Sequence, residues 1–231
     1  GDLSKVVSPA SHSDEYMISN FNGKELHDTV YISANPHTDY TLDGGTFHKI
    51  IKTYATTRHH HRKLSEHNPK TVADIAIENY ENYKDKRLIV HFMQPHTPYI
   101  GERAIEARKR LFNSEAIVIK RANDLVNFGN SDINKEYLSF IQAAQDGHIS
   151  DEELHLMYEE NLDIVLKQVR RTIEAFDGKT VVTADHGELL GNPSANFFLN
   201  TSYGHPGNAY VRELRVVPWL TVENNSRRKI I

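Results

Sequence analysis

The chain has 231 residues, 39% hydrophobic and 25% charged, with a net charge of -4, 14 histidines and no cysteine. That length suffices for one α/β domain with a sizeable core, and the charge excludes a general affinity for nucleic acid. No apolar run is long enough to span a bilayer and the start does not read as a signal peptide, while the lack of cysteine excludes disulfides and a thiol nucleophile and fits a reducing, cytoplasmic setting.

The segment from Gly1 to Asn20 is polar and serine-rich. Ser13 or Ser11 suits the N-cap of a helix running from about Asp14 to Phe21, because a hydroxyl followed by Asp-Glu matches a helix N-terminus. A hydroxyl in that place also suits nucleophilic attack, since backbone N–H groups and the helix dipole stabilise an alkoxide. Asp28 to Ala34 reads as a strand that stops at Asn35-Pro36-His37. Gly44-Gly45 marks a turn before a short element over Thr46 to Tyr54. The run Arg58-His59-His60-His61-Arg62 reads as an exposed basic loop whose flanks would repel a metal ion. Thr71 to Tyr83 has apolar residues at helical spacing.

Leu88 to Met93 is nearly continuous in apolar residues, as for a strand covered on both faces. It breaks at Gln94-Pro95-His96-Thr97-Pro98, where two prolines hold His96 in a defined direction. His91, inside the strand, is expected in the core. Glu102 to Phe112 and Lys135 to Ala144 read as helices of an insertion over residues 102–150. Ser150 with Glu153 forms a capping-box pattern that starts a long helix ending near Phe176 and Asp177-Gly178.

That helix leads into Thr180-Val181-Val182-Thr183-Ala184-Asp185-His186-Gly187-Glu188, a short strand with a carboxylate and an imidazole at its tip. Carboxylate oxygen and imidazole nitrogen are both good ligands for a divalent ion, and burying the pair without such a partner is costly. A structural hydrogen-bonded pair is the plainer alternative. Tyr203-Gly204-His205-Pro206-Gly207 places another histidine in a turn. Arg215 to Val222 is the last strand, and a frayed tail is expected from Asn224. Strands alternating with helices predict a largely parallel sheet, with the site beyond the strands' carboxyl ends. Asn35, His96 and Asp185-His186 all fall at such ends.

Val182 to Glu188, Tyr203 to Pro206, Val90 to Tyr99 and Leu214-Arg215-Val216-Val217-Pro218-Trp219 together resemble the sulfatase-like branch of the alkaline phosphatase superfamily, in order and spacing, over roughly Asp28 to Val222. The resemblance implies a single domain with a three-layer αβα fold and a metal-dependent hydrolase or transferase of sulfate or phosphate esters. Asp185 and His186 would then hold one divalent ion, whether calcium, manganese, magnesium or zinc. His96 and His205 would contact the transferring group's oxygens or protonate the leaving group, and Ser13, with Ser11 as fallback, would be the nucleophile. The substrate would be a small-molecule or glycan ester. In that branch a first strand ending in an acidic ligand precedes the nucleophile. Here only a short segment precedes Ser13 and no strand was expected to hold Asp2, so either that strand lies upstream of Gly1 or the ligand is absent. Gln94 stands where two-metal relatives carry Asp, which implies at most one ion. A non-catalytic relative serving as a binding or scaffold domain is the alternative.

Overall fold

The computed structural model describes residues 1–54, 68–112, 140–193, 195, 199, 201–225 and 229–231. The Arg58–Arg62 run and residues 113–139 of the expected insertion lie outside them. The described residues form a mixed α/β structure with several sheets, one of them parallel. In chain order the elements are β1 (Asp2–Val7), α1 (Ser13–Phe21), β2 (Leu26–Ser33), α2 (Thr38–Thr41), β3 (Phe47–Lys52), α3 (Pro69–Tyr80), β4 (Arg87–His91), α4 (Glu102–Phe112), α5 (Phe140–Gln145), α6 (Asp151–Ala175), β5 (Gly178–Thr183), β6 (Leu189–Leu190), β7 (Tyr203–Gly204), α7 (Arg212–Arg215) and β8 (Val216–Asn224).

β2 is the middle strand of a parallel sheet in the order β3-β2-β4. Its apolar run is buried on both faces, as a central parallel strand requires. Tyr31 points to Met17 and Phe21 of α1, whereas Val30 and Ile32 point to Ala76 of α3. The second sheet, in the order β1-β8-β5, is antiparallel throughout. This corrects the expectation of one largely parallel sheet. β8 follows β5 and runs back alongside it in antiparallel register, Thr183 against Trp219 and Gly178 against Asn224.

β1 was not anticipated, because Leu3 and Val7 are exposed and a solvated edge strand carries little apolar pattern. Asp2 sits at its amino end, away from the site. The tail expected to fray from Asn224 is instead pinned there: Asn224 Nδ2 donates to the carbonyls of Ile173 (3.0 Å) and Phe176 (2.9 Å).

α6 begins as expected, with Ser150 Oγ accepting from the Glu153 amide (3.1 Å). The capping box is half made, because the Glu153 carboxylate pairs with Arg110 instead (2.7 Å). Leu154 and Met157 pack into a cluster with Tyr99, Ala104 and Ala143, which joins α4 and α5 to α6. No helix among the described residues is long and apolar enough to cross a membrane.

One turn beyond Met157, Asn161 is fully buried. Its Oδ1 accepts from the Ile100 amide (2.9 Å), and its Nδ2 donates to the carbonyls of Pro95 (3.2 Å), His96 (3.1 Å) and Pro98 (3.2 Å). A single amide therefore clasps the whole loop that carries His96. Replacing it strands buried backbone groups, which carries the full desolvation cost. Asn161→Ala is expected to lower unfolding stability by about 3 kcal/mol, read as a shifted denaturant midpoint. A shift below about 0.5 kcal/mol would mean that the clasp contributes nothing.

Candidate active site

β1, β2, β4 and β5 all direct their carboxyl ends to one place. Asp185, just past β5, is the centre of it. Its Oδ2 accepts from Ser13 Oγ (2.6 Å), and the Nε2 atoms of His186 and His91 lie 3.6 Å and 3.8 Å away. Its Oδ1 accepts from the His186 amide (3.0 Å), and its backbone carbonyl accepts from Ser8 Oγ. Burial pushes the Asp185 carboxyl up, but His91, His186 and the Ser13 hydrogen bond together hold it below the usual carboxylate range.

The structure separates the two serines. Ser13 is the first residue of α1, and its hydroxyl also lies 3.3 Å from His186 Nε2. Neither serine caps the helix. The N-cap is His12, whose Nδ1 accepts from the Asp14 amide (3.2 Å). Ser11 is tied to the His205 loop, donating to the Pro206 carbonyl (2.9 Å) and accepting from the Ala209 amide (3.0 Å).

Gly187 is dictated by close approach. Its amide donates to the Leu214 carbonyl (2.8 Å), and a Cβ on it would lie 2.0 Å from the Glu213 carbonyl oxygen.

Three imidazoles share one pattern. His186 Nδ1 bonds the Gly187 carbonyl (2.8 Å), His96 Nδ1 bonds the Thr97 carbonyl (2.7 Å), and His205 Nδ1 bonds both oxygens of Glu188 (2.9 and 3.1 Å). Each acceptor fixes the proton on Nδ1 and leaves Nε2 free, which is how metal-binding or proton-donating histidines are oriented. The rings crowd together: His205 lies 4.6 Å from His186, 5.0 Å from His96 and 5.2 Å from His12, between centroids. Burial lowers the pKa of His96 and His12. Burial also works against a charge on His205, but the Glu188 carboxylate outweighs it and raises that pKa. A proton in this cluster is therefore held preferentially at His205.

His91 is a hydrogen-bonded interior residue of β4, as expected, and it also faces the site. The buried Tyr31 hydroxyl, whose pKa is raised by burial and by Asp185, meets its Nδ1 at 2.7 Å and leaves Nε2 directed at Asp185. Nothing in the sequence distinguishes it from a strand-interior histidine. Glu188 is likewise a missed partner, although its place three residues after Asp185 was a signal. Among the described residues, two groups could each offer three ligand atoms to an ion: His96 with Glu188 and His205, and His12 with Asp14 and His37. Asn35 forms the turn after β2, accepting from the His37 amide (2.9 Å).

No family model matches the chain, and no curated protein matches it. A solved 2-O GAG sulfatase overlaps 94% of this chain and 48% of its own, at 13% identity and a TM-score of 0.45. The chain thus spans about half the length of that structure, and an overlap so loose says nothing of reaction or substrate.

The His205–Glu188 pair makes folding stability depend on pH. His205 has a folded pKa above its ordinary 6.5, so its contribution is complete below 6.5 and is lost as pH rises through the raised value. Glu188 is lowered from 4.5, so its contribution is present above 4.5 and is lost as pH falls through the lowered value. Thermal unfolding in chelator should show the largest deficit of His205→Gln relative to the unmutated chain between those two pH values. A deficit that grows toward alkaline pH would refute the pairing.

Proposed function

We propose that the chain is a metal-dependent hydrolase or transferase of sulfate or phosphate esters, built on a three-layer αβα frame. The observation that carries this reading is Ser13 Oγ at the N-terminus of α1, 2.6 Å from Asp185 Oδ2 and 3.3 Å from His186 Nε2. The frame is supported by α1 and α3, which pack on opposite faces of β2.

The donor set fits a divalent ion: an Asp185 carboxylate held below the usual carboxylate range and a His186 imidazole whose Nδ1 is bonded to the Gly187 carbonyl lie beside the Ser13 hydroxyl, next to the His205 ring. A bound ion would neutralise charge on the tetrahedral group and on the serine oxygen. Calcium, manganese, magnesium and zinc all remain compatible with these ligands.

The chain's own residues then divide the work. Asp185 accepts the Ser13 proton as Oγ forms its bond to sulfur or phosphorus. The positive N-terminal end of the α1 dipole favours the developing charge. His96, held by the Asn161 clasp, directs Nε2 toward the oxygens of the group. As the ester bond breaks, the leaving oxygen takes a proton from His205, whose hold on a proton Glu188 strengthens. A water molecule, or an acceptor hydroxyl in a transferase, then attacks the group and gives its proton to His205, while the bond to Ser13 breaks and Asp185 returns the first proton to Ser13 Oγ. The substrate is a sulfate or phosphate ester of a small molecule or glycan.

Ser13→Ala is expected to reduce kcat/KM for an aryl sulfate or aryl phosphodiester by about 10³-fold or more. Asp185→Asn should also lose about one divalent ion per chain by elemental analysis. Turnover that survives Ser13→Ala, with no ion in either protein, would move the assignment to a non-catalytic binding domain.

A further inference from the structure

Two histidines and a carboxylate meet close to Ser13, and none of them is a ligand or proton donor of the site built on Asp185. His12 and Asp14 are the N-cap and the second residue of α1, on either side of Ser13 in the chain. His37 comes from the turn after β2, where Asn35 Oδ1 accepts from its amide (2.9 Å). One ligand atom from each of the three lies within 4.8 Å of the others.

These atoms are turned toward one another. Asp14 Oδ1 contacts His37 Nδ1, and Asp14 Oδ2 lies 3.8 Å from His12 Nδ1. The Tyr40 hydroxyl also reaches His37 Nδ1, at 2.6 Å. A ring nitrogen has one hydrogen or one lone pair to give, yet two oxygens contact this one. A cation among them satisfies the nitrogen and the oxygens together. His12 Nδ1 accepts from the Asp14 amide at 3.2 Å, the long end of a hydrogen bond. That nitrogen therefore carries no proton, as a ligand nitrogen must not. Thr41 Oγ1 donates to Asp14 Oδ1 (3.1 Å) and so orients the carboxylate.

We propose that His12, Asp14 and His37 bind a zinc ion, separate from the ion at Asp185 and His186. Two imidazoles and one carboxylate are a zinc donor set, and a water completes the tetrahedron. Calcium and magnesium call for more oxygen ligands than these three residues supply. Zinc bonds of ~2.0–2.1 Å place tetrahedral ligands about 3.4 Å apart, so side-chain movements of roughly 1 Å close the set. The side chains of His12, Asp14 and His37 are 27%, 33% and 30% exposed, which lets the ion enter from solvent. Once bound, it ties the start of α1 to the turn after β2 and fixes the backbone on both sides of Ser13. The assignment does not depend on the catalytic reading.

The test is zinc titration of the whole metal-free chain, read by calorimetry and by Tm, in an Asp185→Asn background that removes the other ion. Binding of about one zinc with a raised Tm is expected, and no such rise with calcium or magnesium. His37→Ala should weaken zinc binding by at least about 100-fold, and Thr41→Val, which keeps all three ligands, by about 10-fold. In chelator, His37→Ala should keep its circular dichroism, because the His37 side chain makes no cap bond to α2. Zinc binding unchanged by His37→Ala but lost in His205→Gln would overturn the proposal by placing the ion among His96, Glu188 and His205. So would a Tm that zinc does not move, which would leave Asp14 and His37 a hydrogen-bonded pair. Should His37→Ala not fold, an unchanged zinc affinity in Thr41→Val decides against the site.

Discussion

Asp185 is a carboxylate taken largely out of water, and the rest of the site follows from what it then requires. An ionised carboxylate in that position must collect hydrogen bonds and compensating groups, or take up a proton. It collects them from three separate parts of the chain, the Ser13 hydroxyl, the His91 imidazole, and the amide and imidazole of His186, while Ser8 Oγ donates to the backbone carbonyl of the same residue. β1, α1, β4 and β5 are thereby drawn to one point. The arrangement that satisfies the carboxylate also sets a serine hydroxyl against it at a helix N-terminus, where a nucleophile is most easily activated.

A second tier of contacts holds the imidazoles around that centre. Each Nδ1 is given a fixed acceptor, either a carbonyl or the Glu188 carboxylate, so the opposite nitrogen is available to chemistry. The loop bearing His96 is held from outside the site by Asn161, which answers one backbone amide and three carbonyls with one side chain. α6 thus has two roles. Its apolar stripe covers the sheets, and one polar residue within that stripe fixes the direction of a histidine at their end. Crowding several rings together disfavours their protonation, and Glu188 resolves the competition in favour of His205.

Among the described residues, β4 and β5 are each the last strand of their sheet. Their ends converge at His91 and Asp185, while their bodies border an apolar cavity under α6.

By itself, the sequence determined the elements with strong local signals and the chemistry at their tips. The apolar run ending in Asp185-His186, the helix that Ser150 starts, α4 and the His96 loop were legible because burial periodicity, capping residues and proline act over a few neighbours. Asp185, His186, His205, His96 and Ser13 could be named from residue type and position. Tertiary structure alone decided which of them meet. It chose His12 over either serine as the cap, tied Ser11 to the His205 loop, set His91 against Asp185, and turned β8 antiparallel. Each of these outcomes depends on contacts between residues far apart in the chain. Local propensity carries no record of which distant group will satisfy a buried polar atom.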